Sequence, residues 1–151
     1  MGTRYFEDFH VGDIFDLGSI QITEEEIITF ARQFDPQPFH IDPEEAKDSI
    51  FQGLVASGWH TTALFMRLLA DGLLRETISI GSPGVDEVRW RNPVRPGDRL
   101  RATLTVIGCN LSRSRSNMGI VRSACEMFNQ KDEVVLTLSG IHFFGRKPKR
   151  A

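Results

Sequence analysis

Apolar positions along this chain follow two different periods, and the change falls before Gly84. In the stretch "TEEEIITFARQF", Ile27, Ile28, Phe30, Ala31 and Phe34 recur at three- and four-residue spacing, which places them on one face of a helix. Thr23 and Glu26 have the spacing of a capping box, and the acidic run Glu24 to Glu26 suits a helix N-terminus. That helix has to stop at Asp35, because a residue before proline is pushed out of the α region. Asp42 then caps a second short helix, with Pro43 at its first position and Glu45 three residues on, ending near Ser49. The longest helical stretch runs from Ser57 to about Leu74. Its apolar residues, Trp59, Ala63, Leu64, Phe65, Met66, Leu68, Leu69, Leu73 and Leu74, cover almost the whole circumference, which predicts a buried helix of about 25 Å.

Strand-like patterning flanks this helical half. Residues 12–22, "GDIFDLGSIQI", are rich in β-branched and aromatic residues and predict one strand or a bent pair. Residues 84–94, 98–108, 117–130 and 133–145 predict four more strands. The clearest alternation sets Leu100, Ala102, Leu104 and Val106 against Arg99, Arg101, Thr103 and Thr105. The turn signals "NPVRPGD" and "NQKD" separate them, and the second joins the last two strands as an antiparallel hairpin. One buried helix followed by antiparallel strands predicts an α+β domain whose sheet wraps around the helix.

Composition narrows this picture. A chain of 151 residues fits one domain, 1–151, with residues 145–151 as a basic tail ending in solvent. A net charge of −2 argues against nucleic-acid binding, which calls for a clustered positive excess. Cys109 and Cys125 match no metal spacing and are too few to staple a secreted fold, so a reducing compartment and packing roles are expected. The N-terminus carries no apolar signal region, and Arg67 and Asp71 interrupt the most hydrophobic segment well short of a membrane span. A cytoplasmic protein without membrane attachment is the expectation. No Gly-rich phosphate loop or metal cluster is visible, so neither a cofactor nor a metal is expected.

Candidate chemistry concentrates in "FDPQPFHID", residues 34–42. Pro36 and Pro38 stiffen the segment between Asp35 and His40 and can turn it, so that a carboxylate and an imidazole face one space and share a water. The same spacing also fits a capping aspartate and a half-buried loop histidine. Ser57-Gly58, ahead of the long helix, would present unpaired N–H groups with the positive end of the helix dipole behind them, which suits an oxyanion. An ordinary serine cap with a glycine for close packing fits equally.

The run "FARQFDPQPFHIDPEEAKDSIFQGLVASGWHT", followed by "RNPVRPGDRL", resembles the MaoC-like dehydratases, relatives of the (R)-specific enoyl-CoA hydratases with a hot-dog fold. The resemblance covers nearly the whole chain. It implies that Asp35 and His40 act on a catalytic water, that the Gly58 N–H serves as oxyanion donor beside Ser57, and that the Gln37 amide has a positioning role. It also implies an acyl-CoA or acyl-carrier thioester substrate, reversible hydration of its 2,3 double bond, and a homodimer whose two sheets join, with the acyl chain in a tunnel near the interface. Thioester hydrolysis on the same fold, or thioester binding without turnover, are the competing readings. The chain departs from the usual pattern at Gln37 (commonly Asn), Phe39 (aliphatic), Ser57 (often His) and Met66 (serine in some), differences that bear on substrate range more than on reaction type. His60 is expected as a packed core residue, while His142 in the last strand and His10 near the start have no evident partner.

Overall fold

The computed structural model describes residues 3–149. Strand β1 (Ile14–Gln21) leads into helix α1 (Glu24–Phe34), the single-turn helices α2 (Pro38–Ile41) and α3 (Pro43–Ala46), and the long helix α4 (Gly58–Gly72). Strands β2 (Ser79–Trp90), β3 (Arg99–Leu111), β4 (Met118–Phe128) and β5 (Val134–Gly145) follow. All five strands join one antiparallel sheet in the order β1-β3-β4-β5-β2, so β1 and β2 form its two edges. This is the α+β arrangement expected, a hot-dog fold with α4 against one face of the sheet.

Alternation decides which face that is. Leu100, Ala102, Leu104 and Val106 of β3, Val121, Cys125 and Met127 of β4, and Leu136, Leu138 and Phe144 of β5 all turn inward. They share one core with Leu64, Phe65, Leu68 and Leu69 of α4 and with Ile27 of α1. Burying apolar area at about 25 cal/mol per Å² makes this cluster the main source of stability, and it fixes the position of the α4 N-terminus.

Helix α1 begins as its capping box requires: Thr23 Oγ1 accepts from the Glu26 N–H at 3.2 Å, and Glu26 Oε1 accepts from the Thr23 N–H at 3.0 Å. It ends at Phe34, and Asp35, the residue before Pro36, is already out of the helical region.

Three expectations need correction. Helix α4 is not buried all round, since Trp59 is 61% and Met66 46% exposed. One sheet face covers α4, and among the described residues the outward stripe of the helix is left largely open, with Trp59 meeting only the edge of Trp90. Strand β2 begins at Ser79 rather than Gly84. Gly81, Pro83 and Gly84 look like turn residues, but on an edge strand they are absorbed by register shifts, which proline and glycine tolerate there. The basic tail does not leave the fold at residue 146. Arg146 Nε donates to Glu7 Oε2 at 3.0 Å and Lys147 Nζ stands 2.9 Å from Asp8 Oδ1, while Arg150 and Ala151 lie outside the described residues.

Candidate active site

Asp35 follows α1, where its N–H still donates to the Ala31 carbonyl at 2.8 Å, and its backbone then leaves the helix at φ −155°. The two prolines do more than stiffen what comes next. Pro38 occupies the first position of α2, where a missing N–H costs nothing, and the resulting turn carries His40 back toward Asp35. The outcome is a distance of 3.3 Å between His40 Nε2 and Asp35 Oδ2, with the His40 side chain 8% and the Asp35 side chain 18% exposed. The sequence had left that short helix unread.

Hydrogen bonds determine how each group is presented. His40 Nδ1 lies 2.6 Å from the Val55 carbonyl oxygen, an atom that can only accept, so Nδ1 carries a proton and Nε2 is the position that exchanges one. Val55 is itself held by its N–H donating to the Phe39 carbonyl at 3.1 Å, which couples the α2 turn to the strand-like entry into α4. Asp35 Oδ1 accepts from Gln37 Nε2 at 2.6 Å, and Oδ2 accepts from Ser57 Oγ at 2.7 Å. Burial pushes the Asp35 carboxyl up, but these two donors and the His40 imidazole outweigh it and hold the group below its ordinary value of 3.8.

Ser57 works differently from the sequence expectation. It is fully buried and lies behind the cavity wall rather than on it. Its hydroxyl donates to Asp35 while accepting from the Trp59 N–H at 3.3 Å, so it caps α4 and ties the Asp35–His40 segment to the helix at once. Gly58 does line the cavity, and among the described residues no protein acceptor takes its N–H. A side chain there would displace its neighbour: a Cβ at Gly58 would stand 2.3 Å from a carbon of the Trp90 indole.

Asp35, Gln37, His40 and Gly58 thus share one cavity of about 540 Å³, within the ordinary range for small-molecule sites. Four aromatic side chains stand among its remaining walls, with Phe39 edge-on to both His40 and Phe51, and Trp59 edge-on to Trp90 at 5.2 Å. Trp90 and the segment Arg91 to Val94 are the part that sequence reasoning missed. The signal available was "RNPV" at the end of a predicted strand, which marks a turn but not the cavity it roofs. His60 stacks flat on Phe30 with ring centroids 4.5 Å apart, buried and outside the cavity lining. Met66 also stands outside this cavity, on the exposed stripe of α4.

Residues 9–126 match the family described as "MaoC like domain". The YdeM protein of Bacillus subtilis is 30% identical over 127 residues, covering 83% of this chain and 88% of that protein. The (R)-specific enoyl-CoA hydratase of Rhodospirillum rubrum is 30% identical over 111 residues, 70% of this chain and 71% of that one. Among solved structures, the MaoC-like dehydratase of Rhodospirillum rubrum superposes with a TM-score of 0.86 at 41% identity, over 97% of this chain and 100% of that one. The match spans β1, the α1–α2 turn, α4 and most of the sheet, and on that ground the chain belongs to the MaoC-like family of hydratases and dehydratases.

Proposed function

We propose that this protein adds water reversibly across the 2,3 double bond of an enoyl thioester, an acyl-CoA or acyl-carrier ester. The observation that carries the reading is the 3.3 Å approach of His40 Nε2 to Asp35 Oδ2 inside the cavity that begins at Gly58. These two atoms are too close for a water to lie between them. A water resting against both can give a proton to one of them while its oxygen attacks C3 and the π electrons of the double bond move toward the thioester oxygen, where the free Gly58 N–H at the positive end of α4 stabilises the negative charge. The charge returns to C2 as C2 takes a proton from the Asp35–His40 pair, so that one water is added with no net proton gained or lost.

The substrate's other requirements fit the remaining walls. Phe39, Phe51, Trp59 and Trp90 provide an apolar surface for the acyl portion. Arg91 lines the cavity, and Arg95 stands beside it with Nη2 donating to the Phe51 carbonyl at 2.8 Å, so positive charge faces the phosphates of a CoA or carrier arm. The exposed apolar residues Trp59, Met66, Val85 and Trp90, on α4 and the open β2 edge, support a homodimer in which the two sheets join. Sedimentation at micromolar concentration tests this, and a monomer would remove it.

Hydration of short and medium 2-enoyl-CoA esters is followed as loss of the enoyl absorbance. Asp35→Asn and His40→Gln are each expected to lower kcat by about a hundredfold or more while the far-ultraviolet circular dichroism stays that of the parent. Thiol release without hydration, or turnover retained in both variants, would overturn the proposal.

A further inference from the structure

The first turn of α4 carries a buried imidazole that the proposed chemistry does not use. His60 is 7% exposed and stands outside the cavity lining. Among the described residues, its Nδ1 is the only buried side-chain nitrogen or oxygen without a hydrogen-bond partner. Such groups are rare in folded proteins, because each loses the bonds it would make to water. With Nδ1 enclosed and facing no acceptor, the neutral ring carries its proton on Nε2, and a second proton would have to enter at Nδ1 and find nothing to bond. Among the described residues the charged group that faces the ring is Glu26 of α1, one turn before Phe30. Its carboxylate is held at the α1 N-terminus, Oε1 accepting from the Thr23 N–H at 3.0 Å and the Thr23 hydroxyl at 2.9 Å. Burial outweighs the pull of Glu26 and pushes the His60 imidazole down from its ordinary value of 6.5.

The face of the ring has a definite partner. His60 lies nearly parallel to Phe30, with 9° between the planes and centroids 4.5 Å apart. Phe30 in turn meets Phe34, the last residue of α1, at 5.1 Å, and Asp35 follows as the C-cap. The C-terminal half of α1 is thus joined to the first turn of α4 by the His60–Phe30 stack as well as by the Ser57 hydroxyl on Asp35.

We propose that His60 is a positioning residue: as a neutral ring on Phe30 it holds the end of α1, and with it Asp35, against the α4 N-terminus, and on taking up a proton it releases that hold. Mild acid then misaligns the Asp35–His40 pair. The effect on activity rests on the hydratase reading above, while the effect on packing does not. An imidazolium is attracted to the Phe30 face, but by less than it costs to enclose its charge with an unmet Nδ1–H. Because the folded protein binds this proton less readily than the unfolded chain, the contribution of His60 is complete above about pH 6.5 and is lost as pH falls through the lower, folded value. Asp35 is held below 3.8, so the upper part of the acid limb belongs to His60.

The test follows kcat/KM for hydration of a 2-enoyl-CoA ester, and the urea midpoint, from about pH 8 to about pH 4.5 in the parent, His60→Phe and His60→Gln. His60→Phe keeps a flat ring, His60→Gln a similar reach, and neither takes up a proton in this range. At about pH 5 each is expected to keep about threefold more of its activity at pH 8 than the parent keeps. Groups common to all three proteins, His40 and His142 among them, cancel in the comparison. In the parent, the imidazole resonances of His60 should titrate together with the upper acid step. An acid limb unchanged in every variant that folds, or a His60 that titrates without loss of activity, overturns the proposal. Should no enoyl thioester be hydrated, the urea midpoints decide. An acid-induced fall smaller in the variants than in the parent supports the His60 contact while removing the hydratase reading, and falls of equal size remove the proposal.

Discussion

Ser57→Ala removes one buried oxygen that serves two elements, and its cost can be worked from the structure. As the N-cap of α4, Ser57 accepts from the Trp59 N–H, a role worth about 1 kcal/mol. As a donor to Asp35 Oδ2 at 2.7 Å it makes a hydrogen bond to a charged group, worth about 1.5–3 kcal/mol because the carboxylate is mostly shielded from solvent. The sum, about 2.5–4 kcal/mol, should lower the urea midpoint by about 1–2 M at neutral pH. Trp59 and Trp90, both at the site, report the transition by fluorescence.

A double-mutant cycle with Asp35→Asn separates the two roles. The cap survives in Asp35→Asn, so the coupling energy isolates the Ser57–Asp35 bond and should exceed about 1 kcal/mol. The pH dependence has a definite sign. Asp35 is held below its ordinary 3.8, so its contribution is present above that value and lost as pH falls through the folded one; the gap between parent and Ser57→Ala should narrow on acidification. Without the Ser57 donor the Asp35 carboxyl rises, and the acid limb of kcat/KM should move to higher pH. A coupling below about 0.5 kcal/mol together with an unmoved acid limb would refute the assignment of Ser57 as the group that holds Asp35 in place.

Gly58→Ala should cost about 1–3 kcal/mol, because its Cβ meets the Trp90 ring at 2.3 Å and the indole must move. Adding Trp90→Ala should lessen the penalty that alanine causes at 58, and an undiminished penalty in thermal unfolding would show that the contact is not its cause. Cys125 is buried, and burial raises its thiol to about 11, so iodoacetamide at pH 8 should leave it unlabelled until urea unfolds the chain. Mass spectrometry showing labelling of the folded protein at the rate of a free thiol would contradict that placement.

The fold was legible wherever a local pattern and its tertiary environment agreed. The β3 alternation, the Thr23 capping box and the stop before Pro36 depend only on neighbours in sequence, and the structure keeps all three. Strand β2 was misread at its start because Gly81, Pro83 and Gly84 are breakers in isolation. Only an edge position, known once β2 is seen to pair with β5 alone, makes them compatible with a strand. The outward stripe of α4 was misread for the opposite reason: periodicity reports that Trp59 and Met66 are apolar but not whether this chain supplies anything to cover them.

The same division runs through the site. Asp35, Gln37 and His40 lie within six residues of one another, so two prolines were enough to suggest that they meet, and one short turn brings them together. Ser57 is 22 residues from Asp35, and nothing local distinguishes a serine that caps a helix from one that also grips a carboxylate. Trp90 is farther still, and it reaches Gly58 because β2, running along the sheet edge beside β5, ends next to the α4 N-terminus. Each long-range contact fixes a group that the short-range motif leaves free: Ser57 holds the orientation of the carboxylate, and Trp90 closes the space over the glycine. A pair of titratable groups can therefore be found from sequence spacing, while its alignment depends on residues that become neighbours only once the sheet has closed around α4.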